Sequence, residues 1–459
     1  MLKNLFGQAL TSMTNSAVAV ATYTKTEVRN LYVDAGRPND NGDGLSWGTA
    51  KRTIQAGVDV AVDGDTVLVT NGIYNVGGAM TPSGMLPNRV VITNNIVVRS
   101  VNGVSVTIIQ GSGTNAYDTA NAMRCVYMTK GVLDGFTLRD GATVYSLGGS
   151  SAVNKEGGGA CIGSLAWLQN CVISNCIASN GGGVSGIANN HGYIRNSLLV
   201  GNLATGYGGG AYYASVYNTT LVGNRCSGGY GGGVWFGSLF NSIAWGNVNM
   251  NGETDDTQGS DANYSCAASL LSMNGCINVP PRFVDEANGN YRLRSDSPCV
   301  DKGNNTYAPE LPDMDGNARC RDGDGNGVAI ADMGAYEYGS TSGAAVATPM
   351  IAPGDGTSFA GSLAVEISCA TAGAEIRYTL DGSEPTTNSA LYGVTIPLVA
   401  TTTVKAKAFK VGQPDSFSEL HKTVGGYSYV HSCFRHSIHE LAGGDHRLCD
   451  DRLGNSIYA

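Results

Sequence analysis

Charged residues are scarce in this 459-residue chain, where Asp, Glu, Lys and Arg together fill 14% of positions. Disorder needs high charge with low hydrophobicity, and 42% of these residues are hydrophobic, so the shortage of charge points to a packed core. Basic side chains are outnumbered, 28 Lys and Arg against 37 Asp and Glu, for a formal charge of −9 and a pI near 5.1. That balance argues against nucleic acid as a partner, because phosphate binding needs clustered Lys and Arg. It also counts against a polyanionic polysaccharide unless calcium bridges the two. No stretch approaches the ~20 apolar residues of a membrane span. The twelve cysteines include no CxxC pair. From Cys161 to Asn247 there is no Lys, Asp or Glu, and the only Arg residues are Arg195 and Arg225.

What that stretch has instead is glycine in phase. The triplets starting at Gly157, Gly181, Gly208 and Gly231 lie 24, 27 and 23 residues apart, and each is followed by a small or apolar residue, Ala160, Val184, Ala211 or Val234. Asn175, Asn202, Asn224 and Asn247 recur at 27, 22 and 23. Between them stand short branched runs such as Ser197 to Val200, too short for a helix and bounded by turn formers. A period in the twenties with one short apolar run per turn marks a solenoid of strands. Glycine and asparagine tolerate the positive φ of tight corners, and asparagines stacked at one corner can hydrogen-bond along the stack. The expected fold class is all-β: a right-handed parallel β-helix solenoid followed by a small β-sandwich.

The N-terminal Met1–Ala21 has a thinner apolar centre than a signal peptide requires. Ser46 to Val58 reads as a short capped amphipathic helix, the kind of cover that the open end of a solenoid needs. With the strand signal Gly64 to Tyr74 (GDTVLVTNGIY), this segment resembles the start of the pectin-lyase-like β-helix superfamily. The glycine and asparagine repeats resemble those of polymorphic outer-membrane proteins. Farther on, Pro281-Arg282-Phe283-Val284-Asp285, Ser297 to Gly303 and Asp332 to Glu337 are similar to the closing segment of secreted bacterial β-helix proteins of the choice-of-anchor type. That resemblance implies an extracellular or bacterial cell-surface protein.

Beyond a small-residue linker, Ala347 to Leu420 resembles the chitobiase/β-hexosaminidase C-terminal module, carried by Ala374 to Thr386, Tyr392 and Val404 to Ala408. Alternating strands around the Asp381-Gly382 turn suit a small sandwich. The resemblance implies an accessory, non-catalytic domain. The expected organisation is an N-terminal segment at 1–30, a β-helix with its cap and closing segment at 31–339, a linker at 340–347, the sandwich at 348–420 and a tail at 421–459. The tail holds five of the six histidines, with Cys433, His436 and His439 at a zinc-compatible spacing, but it reads as a poorly folded extension. Cys161, Cys171, Cys176 and Cys226 fall inside rungs, as small buried apolar groups. Cys266 and Cys276, flanking a short irregular loop, are the first candidates for a disulfide, with Cys299 and Cys320 next, and sequence does not fix the pairing.

Glycan hydrolysis needs spaced carboxylates, and β-elimination needs a base beside a cation-stabilised enolate. The regular rungs offer neither. The nearest ionisable set is Arg139, Asp140, Lys155 and Glu156, the alternative catalytic candidates should the chain be a polysaccharide lyase or hydrolase. A phage-type tail fibre, which would require trimerisation, is a further alternative. The same rungs do carry aromatic rings, and Tyr212, Tyr213, Trp235 and Phe236 are the candidate glycan-binding residues, since flat rings along a rigid groove stack on sugar faces. Strict alternation along a strand would put one of Trp235 and Phe236 inside. Oxygen donors at Asp322, Asp324, Asn326 and Asp332, with glycines between, suit a structural calcium, although the spacing departs from an EF-hand. Asp40, Asn41 and Asp43 form a second such set. The leading expectation is a non-catalytic secreted or surface β-helix protein whose partner is a polysaccharide or cell-surface glycan.

Overall fold

The computed structural model describes residues 28–82, 84–113, 121–144, 152–308, 311–339, 346–410 and 419–426. The expected N-terminal segment and the His/Cys-rich tail fall largely outside these residues.

The chain winds as a right-handed parallel β-helix. One parallel sheet runs from Asn30–Val33 through Thr66–Val69, Val97–Ser100, Arg124–Asp134 and Ala160–Gln169. It then continues as split strands, Val184–Gly186 with Gly192–Arg195, Ala211–Tyr212 with Ala214–Tyr217, and Val234–Trp235 with Ser238–Phe240. A second parallel sheet stacks Gly72–Tyr74, Thr107–Gln110, Thr137–Arg139, Val172–Ser174, Leu198–Val200, Thr220–Val222, Ile243–Trp245 and Cys266–Ala267. A narrow third sheet joins Ile177–Ala178, Leu203–Ala204 and Arg225–Cys226. Alternate residues of the two broad sheets point inward and make one core, including Ala166, Leu168, Ile173, Ile194, Leu199, Val216, Leu221 and Leu239. The helix Ile54–Val60, capped by the Thr53 hydroxyl accepting from Ala56 N, covers the starting end and packs Ile54 and Val58 on Leu31, Val33 and Val67.

Three corner devices hold the coil. The first glycine of each triplet takes a left-handed φ between 60° and 71°. At the middle glycine a side chain has no room, since a Cβ on Gly209 would lie 2.4 Å from the Gly232 carbonyl oxygen. The second device is a buried asparagine ladder. Asn202 Nδ2 donates to Asn224 Oδ1 and Asn224 Nδ2 to Asn247 Oδ1, both at 2.9 Å, while each Oδ1 also accepts the backbone N–H of the rung before. The ladder ends on Asp256, whose Oδ1 accepts from Asn247 N and Nδ2. Asn175 does not belong to it. In register Cys176 occupies that slot, and Asn175 instead takes a positive φ of 53° beside Gly201, Gly223 and Gly246. The third device is a hydroxyl ladder that sequence reading missed, in which Ser197 Oγ, Thr219 Oγ1, Ser242 Oγ and Ser265 Oγ each accept the backbone N–H of the preceding rung. Each corner therefore satisfies groups that burial would otherwise leave unpaired.

The closing segment folds back onto the outer face of the second sheet. Phe283, Tyr291, Leu293, Val300, Met333 and Tyr336 pack on the outward Leu198, Val222, Ile243 and Cys266. Asn196, Asn218 and Asn241, at positive φ, donate their side-chain N–H groups to the carbonyls of Pro312, Tyr307 and Asn304. Arg319 is fully buried and binds Asn196 Oδ1, Asn218 O and Glu337 Oε1. Cys266, Cys276, Cys299 and Cys320 are all free thiols, so neither candidate disulfide is formed, and Cys266 packs with Cys299 where the closing segment covers the second sheet.

The C-terminal unit is a pair of small sheets. Met350–Ala352, Leu363–Ser368 and Ile396–Leu398 form one, and Ser358–Ala360, Glu419–Gly426, Thr402–Phe409, Glu375–Thr379 and Ala390–Leu391 the other. Ile351, Val365, Ile367, Ile396, Leu398, Val404 and Ala406 fill the space between them. Its last strand runs past residue 420, where the sequence placed the boundary.

Candidate functional site

The outward residues of the first sheet form a wall of rings. Alternation sends Ala211, Val234, Ala214, Val216 and Leu239 into the core and leaves Tyr212, Trp235, Tyr217 and Phe240 outside. Parallel pairing places like positions one rung apart, about 4.8 Å, which is also a comfortable ring-stacking distance. Tyr217 and Phe240 accordingly stack at 4.7 Å and 17°, and Trp167 and Tyr193 at 4.4 Å and 13°. Tyr212 and Trp235 occupy one register column, and Tyr207 from the preceding turn leans on Trp235 at 4.5 Å.

Trp235 and Phe236 do not split between inside and outside. The chain bends at Phe236, φ 46°, and at the equivalent Tyr213, φ 47°, so each ring follows its neighbour onto the wall. Tyr213 and Phe236 stack at 5.6 Å and 10°, with Tyr212 edge-on to Tyr213 and Trp235 edge-on to Phe236. All four sequence candidates thus form one contiguous cluster, with His191 beside Tyr213. In the next rung the bend position is Gly259, φ 60°. A side chain at such a φ costs roughly 1–2 kcal/mol, which glycine avoids, yet two rungs keep an aromatic residue there. Burial pushes the Tyr212 phenol up to about 12, which keeps it neutral.

Trp245, also outward in sequence terms, belongs elsewhere, since it packs under the closing segment. Trp167 and Tyr193 on one register column, Phe240 beside Tyr217 on the column two residues along, and Tyr307 of the closing segment were not singled out from sequence. Tyr217 to Phe240 recurs at 23 residues, in step with the triplets at Gly208 and Gly231, and that phasing was the available signal, whereas Trp167 to Tyr193 spans 26 residues against 24 between Gly157 and Gly181.

Of the alternative catalytic set, Arg139 and Asp140 stand apart from Glu156 in their hydrogen bonding. Arg139 and Asp140 form a loose pair at 3.5 Å at the end of a second-sheet strand, and Gln110 Nε2 donates to Asp140. Glu156 is buried, accepts from Ser185 Oγ at 3.2 Å and has its carboxyl raised by burial. No hydrogen bond or ion pair links Arg139 or Asp140 to Glu156, and Lys155 contributes its carbonyl to Ser179 N and Thr143 Oγ1. Buried Arg124 binds the backbone carbonyl of Glu156 rather than its carboxylate.

Of the metal candidates, Asp322 and Asp324 come together with Asp301, their ligand oxygens all within 4.8 Å. Asn326 Oδ1 accepts from Val328 N in a local turn. Asp332 is buried apart, accepting Asp301 N and Tyr338 N, and burial pushes its carboxyl up to about 6. Asp301, twenty-one residues upstream of Asp322, could be found only through the fold. The three carboxylates accept only backbone N–H groups here, and no Lys or Arg among the described residues pairs with them, so the donor set suits a hard cation. The carboxylates of the other candidate set are engaged in local turns and caps: Asp40 accepts from Arg52 N, Thr53 N and Thr53 Oγ1, and Asp43 from Leu45 N and Thr49 Oγ1.

Residues 353–419 match the chitobiase/β-hexosaminidase C-terminal domain family. No curated protein matches the sequence. Among solved structures, a rhamnogalacturonan lyase aligns at 14% identity and TM-score 0.34 over 55% of this chain and 65% of its own length. The crystal structure of pectate lyase Pel9A aligns at 13% and 0.32 over 68% and 96%. No helix among the described residues is long and apolar enough to cross a membrane.

Proposed function

We propose that this chain is a non-catalytic, exported or cell-surface β-helix protein that binds glycan along the outer wall of its first sheet, with the C-terminal sandwich as an accessory module. The observation that carries the reading is the retention of Tyr213 and Phe236 at a left-handed bend where the following rung uses glycine. Local strain kept at a surface position points to use of the side chain rather than to stability. The contiguous cluster of Tyr212, Tyr213, Trp235 and Phe236 offers ring faces for sugars, and the rungs from 161 to 247 supply no carboxylate to cleave them. In this reading calcium at Asp301, Asp322 and Asp324 is structural.

The test is retention on insoluble neutral polysaccharides, alongside release of unsaturated or reducing ends from pectate, alginate and chondroitin with and without calcium. Retention is expected to fall on the order of tenfold in Trp235→Ala with no turnover on any substrate. Turnover lost on changing Arg139 or Lys155 would overturn the non-catalytic reading, and retention indifferent to Trp235→Ala would overturn the wall.

A further inference from the structure

Where the first sheet meets the closing segment, a cleft of about 190 Å³ is lined by Trp167, Arg195, Tyr217, Thr306, Tyr307 and Ala308. It is preformed. The loop from Asn304 to Ala308 is held by Asn218 Nδ2 donating to Tyr307 O at 2.7 Å and Asn241 Nδ2 to Asn304 O at 2.9 Å, while Tyr307 also leans on Phe240 at 4.8 Å. Two stretches far apart in sequence therefore fix opposite sides of one slot.

Arg195 is the chemical centre of this slot. Its guanidinium lies over the Trp167 indole at 4.5 Å, and Nε and Nη2 both donate to Gln169 Oε1, at 2.8 and 2.6 Å. Gln169 is itself buried, so the fork is held in one orientation. Arginine has five N–H donors, and this leaves three of them uncommitted. No carboxylate pairs with Arg195 among the described residues. Asp134, the nearest acid acting on it, is already taken by Arg99 at 2.9 Å and Asn170 Nδ2 at 2.7 Å. A half-buried cation with a fixed plane, free donors and no anion, on a protein of net charge −9, is a place where an anion is missing.

We infer that this cleft binds a single acidic sugar residue, its carboxylate on Arg195 and its ring between Tyr217 and Tyr307. The inference rests on the glycan-binding reading of the wall and adds selectivity to it. The slot is smaller than the ~300–1,000 Å³ typical of larger ligands, so it admits one ring and not a chain segment. From Cys161 to Asn247 Arg195 is the only Lys or Arg on this sheet, Arg225 lying on the narrow third sheet, and the earlier outward cations Arg99 and Lys130 are already paired with Asp134 and Asp63, so a run of uronates would meet one unpaired cation and an otherwise acidic protein. The occupant is therefore a terminal or branch acid on an otherwise neutral glycan. A sulfate ester shares the anion chemistry, and the test separates the two.

The experiment uses the full chain on immobilised disaccharides ending in glucuronic or galacturonic acid, each beside its carboxyl-reduced twin and a sulfated twin, with polygalacturonate in a parallel lane. The wild type is expected to prefer the carboxylate over its reduced twin by about tenfold. In Arg195→Gln that ratio falls to near one, and Arg195→Lys restores part of it, with melting temperatures confirming that both variants fold. A ratio near one in the wild type, a ratio unchanged in Arg195→Gln, a stronger response to the sulfated twins, or equal binding per residue to polygalacturonate would each overturn the inference. Because the wall is judged by Trp235→Ala on neutral polysaccharide and the cleft by the acid-to-reduced ratio, either reading can fail alone.

Discussion

On the second sheet the outward residues Leu198, Val222, Ile243 and Cys266 lie under the chain's own closing segment, whereas on the first sheet the outward rings of Tyr212, Trp235, Phe236 and Tyr217 stay on the surface. The covered face is mainly aliphatic and is locked by buried polar bonds. The open face is aromatic, strained at two corners and held mainly by ring contacts among its own residues, with Tyr307 of the closing segment touching it at Phe240. If the wall binds glycan as proposed, a chain that covers one apolar face and leaves another bare separates stability from recognition. Changes on the first face should cost folding free energy, and changes on the second should cost binding.

The hardest test of the covered face is Arg319→Met. It strips buried Glu337 of its ion-pair partner, leaving only the Asp332 N–H on it, and Asn196 Oδ1 of a donor, a loss of about 3–5 kcal/mol in urea denaturation. Adding Glu337→Met to the same chain should return part of that loss, since it removes the carboxyl that burial already pushes up to about 8 but leaves Asp332 N without its acceptor. If the single change costs under about 1 kcal/mol, the closing segment is not locked by this pair.

Next in size is Asn224→Ala, inside the coil. It removes the acceptor for Asn202 N, one of the two acceptors of Asn202 Nδ2, which keeps Ile173 O, and the side-chain donor to Leu199 O, all of them buried. The expected cost is about 2–3 kcal/mol, read from the same denaturation curves. A near-neutral outcome would mean that the ladder decorates the corner without holding it.

How much of this was readable beforehand follows from the same contrast. The glycine triplets and the Asn202–Asn224–Asn247 spacing gave away the coil, because corners impose residue type locally. Asn175 was misplaced by one position, since only the strand register shows that Cys176 stands above Asn202. The bend that turns Phe236 outward breaks the alternation rule and leaves no local mark, because an aromatic residue is a poor choice for that φ. Arg195 and Tyr307 are separated by more than a hundred residues, and Asp301 joins Asp322 only through the closing segment. Contacts of that range are properties of the fold, which composition and period do not carry.

Calcium should act weakly and on the closing segment. With the dissociation constants of about 10⁻⁴–10⁻³ M found in extracellular modules, about 1 mM calcium adds ~0.4–1.4 kcal/mol by mass action. That corresponds to roughly 1–4 °C in melting temperature, reversed by EGTA and absent in Asp322→Asn. No shift in the wild type would leave Asp301, Asp322 and Asp324 as turn residues alone.

The smallest expected stability change carries the sharpest contrast between the faces. Phe236→Gly deletes a ring that is 43% exposed, so little buried area is lost. It also relieves a φ of 46° that disfavours any side chain, as Gly259 already does one rung on. The lost stacking on Tyr213 and Trp235, about 0.5–1.5 kcal/mol per pair, and the relieved strain of about 1–2 kcal/mol oppose each other. The net change in stability should stay within about 1 kcal/mol, while retention on neutral polysaccharide drops with that of Trp235→Ala. A variant that melts far lower would make the ring a structural plug, and one that binds as before would remove it from the recognition surface. Only a ring kept at that corner for what it touches outside gives both a quiet melting curve and a lost ligand.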